Sequence, residues 1–224
     1  MLYIVSTPIG NLKDITLRAI DVLKQMDFIA AEDTRRTSLL CRHYQIDTPL
    51  TSYYEDRQEK KTEYLIKLLT EGKNVALVSD AGTPGISDPG YRLIQQAKDK
   101  NIPITVVPGP SAFLAALSAS GLPMNRFVFE GFLPVKMQER RRRLEAYKDE
   151  ERTIIFYESP YRLLKSLKDI QEVLDDPVVV CVRELTKKFE EVKRGRAGEL
   201  LKFFGERKVK GEIVLLLNLK DGIN

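Results

Sequence analysis

The sequence predicts an α/β protein built as two domains. Two observations along the chain carry this. Short apolar runs alternate with helix-period patterns throughout its 224 residues, the signature of a mostly parallel sheet with helices on its faces. The alternation then pauses at "SGLPMNR" (120–126), where Gly121 and Pro123 break a helix. A second series of strands begins after it. The expected domains are 1–118 and 119–224, with the joint falling within 113–125.

The elements follow in order. "LYIVS" (2–6) is a first strand, followed by a helix near 14–26 whose Ile15, Ala19, Val22 and Met26 share one face. "FIAAED" (28–33) precedes a helix over 34–44. A helix near 59–71 buries Leu65, Leu68 and Leu69 and leads to a strand at 75–79. Asp88-Pro89 offers a cap and a proline to open the next helix. "ITVVPG" (104–109) runs into "PSAFLAALSAS", where Pro110 suits a first helical position. The second series comprises "FVFEGFLP" (127–134), "TIIFYES" (153–159), a helix from Pro160 striped by Leu163, Leu164, Leu167, Ile170 and Leu174, then "VVVCVREL" (178–185), "EEVKRGRA" (190–197) and "GEIVLLLNL" (211–219). The last three strands lie too close for a helix at every step, so this sheet is expected to be mixed.

Composition narrows the classes. Hydrophobic residues make up 43% of the chain and charged residues 30%, so it can form a packed core. A net charge of +4 permits a polyanionic partner without requiring one. Two cysteines, Cys41 and Cys181, point to a reducing cytoplasm rather than a disulfide scaffold. The N-terminus reads as a strand, not a signal peptide, and no apolar run approaches the roughly 20 residues that span a bilayer. A soluble protein is expected. His43 is the single histidine, which excludes a multi-histidine metal centre. Its place in "LLCRHYQ" reads as helix surface, and no metal is expected. Neither G-x-G-x-x-G nor G-x-x-x-x-G-K-[ST] occurs.

Polar residues gather at the strand exits, where ligands bind in open α/β sheets. The richest exit is "SDAGTPGISDPG" (79–90), with two carboxylates and no Lys or Arg. That argues against phosphate. Gly82, Pro84 and Gly85 would free backbone groups for close contact with a ligand, and Asp80 suits hydroxyls or a cationic centre. S-adenosylmethionine fits such a pocket; sugars and amines fit as well.

"STPIGNLKDITLRA", "AEDTRRT", "SDAGTPGISDPG", "VPGPSA", "FEGFLP", "YESPYRL" and "REL" occur in this order. Together, over residues 2–219, they resemble the ribosomal-RNA-modifying branch of the tetrapyrrole methylase family, the class III methyltransferases. The resemblance implies two α/β domains with S-adenosylmethionine in the cleft between them, a homodimer, and 2′-O-methylation of a cytidine ribose in the decoding region of 16S ribosomal RNA on the 30S subunit. Relatives methylate corrin and porphyrin carbons. A tetrapyrrole substrate and a non-catalytic RNA- or ribosome-binding module are therefore the alternatives. By motif, the cofactor contacts are Asp80, Ala81, Gly82, Thr83 and Pro84, then Ser111 and Ala112, then Tyr157, Leu185 and Ile213, with Pro8 and Ile9 in the first loop. "TPIGN" replaces the Gly-Pro-Gly-Asp type turn of other members and favours RNA over porphyrin. Many members of the branch carry a further small helical domain after the last strand; this chain stops at Asn224.

A weakly acidic 2′-hydroxyl benefits from a proton acceptor. Glu32, Asp33 and Glu158 are the candidates, although Asp33 can equally cap a helix and Glu158 can pair with Arg162. Arg35, Arg36 and Arg162 are candidate RNA contacts. So are Arg140 and Arg141 of the run Arg140–Arg143, of which at least one arginine must turn inward on a helix.

Overall fold

The computed structural model describes residues 1–54 and 58–220. The chain forms two compact units, Met1–Ser111 and Ala112–Asn224. Residues 221–224, the end of the second expected domain, lie outside the described residues.

The first unit runs β1 (Leu2–Val5), α1 (Leu17–Gln25), β2 (Phe28–Ala31), α2 (Thr34–His43), β3 (Leu50–Ser52), α3 (Gln58–Thr70), β4 (Val75–Val78), α4 (Tyr91–Asp99) and β5 (Ile104–Val107). Its sheet is ordered β3-β2-β4-β1-β5, every pair parallel. Alternate residues split between two cores. Val5, Ile29, Ala31, Ala76 and Val78 pack under α1 and α2 through Ala19, Leu23 and Leu40. Leu2, Ile4, Ala30, Val75 and Leu77 pack under α3 and α4 through Leu65, Leu69 and Leu93. Burial on both faces explains why these strands read as unbroken apolar runs. The chain leaving β4 therefore turns to the opposite face from the chains leaving its neighbours β1 and β2. Such a switch opens a crevice at the carboxyl ends of the strands, and residues 79–90 occupy it.

The second unit runs α5 (Ala112–Ser120), β6 (Phe127–Phe132), α6 (Met137–Glu145), β7 (Thr153–Glu158), α7 (Leu163–Val173), β8 (Val178–Arg183), β9 (Glu191–Arg196), α8 (Ala197–Gly205) and β10 (Ile213–Leu217). Its sheet, ordered β6-β7-β10-β8-β9, is mixed: β6 and β7 run parallel, and the remaining pairs are antiparallel. α5 covers one face, with Ala116 and Leu117 on Ile155, Val180, Val182, Val214 and Leu216. α6, α7 and α8 cover the other, around Phe156, Leu167, Cys181, Phe204 and Leu215.

Several elements differ from the expectation. The boundary falls at Ser111, not 118, because α5 buries its apolar side on the second sheet and stacks Phe113 on Phe129 at 4.5 Å. β3 is too short and only half-buried to show a pattern. α4 starts after Gly90, because residues 83–90 turn back on themselves: a Cβ at Gly90 would lie 3.0 Å from the backbone nitrogen of Gly85. α5 starts at Ala112 and α7 at Leu163, beyond Pro110 and Pro160. α8 lies between β9 and β10, where the sequence pattern names no helix, while β8 and β9 are joined without one, as expected.

Candidate active site

The first unit gathers its chemistry around the crevice. Residues 79–84 are pinned to the exit of β1: Thr7 N–H donates to the Gly82 carbonyl at 2.9 Å, and Gly82 N–H donates to the Thr7 carbonyl at 3.0 Å. The Thr7 hydroxyl donates to the Ser79 carbonyl at 3.0 Å, and the Ser6 and Thr83 hydroxyls lie 2.8 Å apart. Gly82 takes φ +81°, a left-handed turn that glycine adopts without strain. The backbone groups expected to be free at Gly82 are therefore taken by Thr7. Ile9 is buried, and its Cγ2 lies 3.8 Å from where a Gly82 Cβ would stand, closing the floor of the turn.

On the β2 side, Asp33 N–H donates to Asp80 Oδ1 at 3.0 Å, and Asp80 N–H donates to Glu32 Oε2 at 3.3 Å. Arg36 Nη1 stands 3.3 Å from Asp80 Oδ2. Three carboxylates thus meet at one strand edge, since Asp88 also feels Glu32 and Asp80. Burial, then repulsion from Glu32, pushes the Asp88 carboxyl up to about 7. Burial also raises Glu32, against the Asp80 N–H that favours its charged form. Asp33 behaves differently. It caps α2 by accepting from Arg35 N–H, and it holds the Arg35 guanidinium through Nε at 3.0 Å and Nη2 at 2.7 Å. Those bonds lower its carboxyl to about 2, which makes it a poor proton acceptor at neutral pH. Arg35 is exposed but engaged by this clamp.

The second unit corrects several expectations. Glu158 is buried, with Oε1 on Arg162 Nη2 at 2.8 Å and on Ser159 N–H at 2.7 Å, and Oε2 on the Ser166 hydroxyl. Both oxygens are engaged, so Glu158 holds the start of α7 rather than accepting a substrate proton. Arg162 is committed with it and also donates to the Leu133 carbonyl at 3.0 Å. Arg140 is the arginine that turns inward. Buried with Asp169, it places Nη2 2.6 Å and Nε 2.7 Å from Oδ2, and it donates to the Val135 carbonyl at 2.9 Å. Arg141 binds Asp169 Oδ1 at 2.7 Å and also Glu172. These pairs leave Arg140 no role in RNA contact and occupy Arg141. Tyr157 and Leu185 lie on the α5 face of their sheet. Ile213 packs in the opposite core, so only its backbone is available to a ligand. His43 is exposed at the end of α2. Among the described residues no group of three or more His, Cys, Asp or Glu is arranged to hold a metal ion, and no helix is long and apolar enough to cross a membrane. Burial raises both thiols, Cys181 to about 12. Asp88 is the site residue that sequence reasoning passed over. Its motif was visible, but burial among other acids is a tertiary property.

Comparison with known proteins fits this geometry. Residues 1–201 match the family described as Tetrapyrrole (Corrin/Porphyrin) Methylases. Ribosomal RNA small subunit methyltransferase I of Thermotoga maritima is 48% identical, covering 98% of this chain and 99% of its own. The protein of that name from Escherichia coli O157:H7 is 51% identical, over 96% of this chain and 77% of its own. Among solved structures, diphthine synthase superposes with a TM-score of 0.76 at 16% identity, covering 97% of this chain and 89% of that one; at that identity the likeness speaks for the fold alone. By sequence and by topology, the chain is a methyltransferase and belongs to the tetrapyrrole (corrin/porphyrin) methylase family.

Proposed function

We propose that the chain transfers the methyl group of S-adenosylmethionine to small-subunit ribosomal RNA, at the ribose 2′-hydroxyl of a cytidine in the decoding region, as a cytoplasmic homodimer. The observation that carries this reading is the end-to-end identity of 48% with the Thermotoga maritima enzyme. The site residues fit the donor. Glu32, Asp80 and Asp88 crowd together against Arg36, and a cationic ligand relieves their repulsion. S-adenosylmethionine supplies a methyl group made electrophilic by its sulfonium.

The residues that would hold it are Asp80 to Pro84, with the buried Ile9 against Gly82 and, by the resemblance, Pro8 of the same first loop. The resemblance adds Ser111, Ala112, Tyr157, Leu185 and the backbone of Ile213. Alignment of the 2′-hydroxyl supplies much of the acceleration of an in-line transfer. Glu32 then serves as the acceptor for its proton, because its raised carboxyl is the better base beside the lowered Asp33. Arg36 is the RNA contact kept from the first unit.

Incubating the protein with methyl-labelled S-adenosylmethionine and 30S subunits, naked 16S RNA or uroporphyrinogen tests the reading. Digestion of the labelled RNA should return 2′-O-methylcytidine. Label on the porphyrin, or on a base, refutes it.

A further inference from the structure

The positive charge of this protein is concentrated. Lys187 to Lys210 hold nine Lys and Arg against four Glu, a balance of +5 in a chain whose total is +4. The structure turns that run into one connected feature. β9 is the edge strand of the second sheet, and Lys193 lies opposite Cys181 in the register, on the side of the sheet packed by α8. Its Nζ sits 4.7 Å from the centre of the Phe203 ring on α8, and the Arg207 guanidinium sits 3.6 Å from the same centre. Arg207 Nη2 donates to Glu191 Oε1 at 3.1 Å, and Glu191 Oε2 accepts from Arg183 Nε at 3.1 Å. Arg183 Nη1 donates in turn to the carbonyl of Lys210 at 2.7 Å. Three cations, Lys193, Arg207 and Arg183, are thus linked in a row that ends on the backbone of the exposed Lys210, and Glu191 is the carboxylate shared between two of them.

We propose that this row, Lys193–Arg207–Arg183–Lys210, is a docking strip for the phosphate backbone of RNA. The proposal rests on the ribosomal RNA reading above and supplies a binding surface that the methyl-transfer site itself does not account for. Charged residues on an edge strand commonly guard against edge-to-edge pairing. That role explains Lys193 but not Arg207, Lys208 and Lys210, which lie beyond the strand where there is no edge to guard. The stacking on Phe203 holds two cations in fixed positions, which reduces the side-chain entropy lost when they meet a phosphate. A protein partner is less well served. Protein interfaces centre on exposed apolar side chains, whereas the ring in this strip already carries a cation at each of two positions. Phosphate contact needs only well-placed positive charge and releases counterions as it forms.

The test compares Lys193→Glu/Lys210→Glu with a matched reversal on the first unit, Lys98→Glu/Lys100→Glu; all four side chains are exposed. Binding of a 16S RNA transcript is followed by fluorescence anisotropy from 50 to 200 mM KCl. The strip variant should bind at least about tenfold more weakly at 100 mM salt, with the slope of log K against log salt reduced by about 1.4–1.8, the value for two lost contacts. Calorimetric affinity for S-adenosylmethionine and the melting temperature should stay unchanged, and the first-unit variant should keep the wild-type slope. If both variants weaken alike, net charge alone is responsible and the proposal falls. It falls too if the strip variant binds as wild type, if it self-associates with RNA affinity intact, or if polyglutamate competes as well as RNA at equal charge. Failure of the methyl-transfer reading looks different: wild-type protein binds the transcript, the strip variant does not, and no label reaches RNA. A wild type that does not bind the transcript overturns the strip, while the methyl-transfer reading falls only if 30S subunits also take no label.

Discussion

Glu32, Asp33 and Glu158 have equal standing as acidic residues at strand exits, yet folding gives each a different chemistry. Asp33 is held ionised by Arg35, Glu158 is sealed in an ion pair, and Glu32 is raised by burial. Replacing Glu32 with Gln should therefore lower kcat about 10²–10⁴-fold, the range for a lost general base. Asp33→Asn should cost kcat far less and should mainly lower the melting temperature by weakening the α2 cap. Equal losses of kcat in the two variants would remove Glu32 from the reaction. Asp88 gives a prediction of opposite sign to the usual carboxylate. Its folded value of about 7 lies above the 3.8 of an exposed Asp, so the folded chain keeps a proton that the unfolded chain has released. Its contribution to stability is then greatest below about pH 4 and is lost as pH rises toward 7. Asp88→Asn should raise the melting temperature at pH 8, with the gain fading as pH is lowered to 4. A gain that does not vary with pH would show that burial and the neighbouring carboxylates do not hold a proton on Asp88.

At the scale of elements, α6 shows how a charge run divides. Arg140 and Asp169 are both buried and bonded to each other, while Arg142 is exposed. Removing one partner of a buried pair leaves an uncompensated charge, so Arg140→Ala should cost about 3–5 kcal/mol in urea unfolding. Arg142→Ala should stay within about 0.5 kcal/mol. Similar costs at both positions would mean that the pair does not anchor α6 to α7. The helix period told that one of four consecutive arginines must face inward; which one depends on where Asp169 lies, on another helix. The loop after β4 follows the same logic. Its glycines and prolines announced a special turn, but the pairing of Gly82 with Thr7 depends on β1 and β4 being neighbours in the sheet. Gly82→Ala should cost about 1–2 kcal/mol through its left-handed φ, since the space around it is open to 3.8 Å.

For the molecule as a whole, a cation bound beside Glu32, Asp80 and Asp88 must draw the Asp88 value down. S-adenosylmethionine binding near pH 7 should then release protons, seen calorimetrically as a heat that varies with the ionisation enthalpy of the buffer. At about 100 times Kd the ligand should add about 2.7 kcal/mol of stability. A buffer-independent heat would place the donor away from the acidic cluster. The sequence by itself determined the α/β class, the pause between two domains, the parallel and mixed characters of the sheets, and the motif loops, because hydrophobic period and turn chemistry are local properties of the chain. The tertiary structure alone decided the joint at Ser111, the reversal of crossover at β4, the buried pairs of Arg140 and Glu158, and the raised Asp88. Each of these depends on which distant residues are brought into contact and on how much water they exclude, and neither quantity is written in any local stretch of the chain.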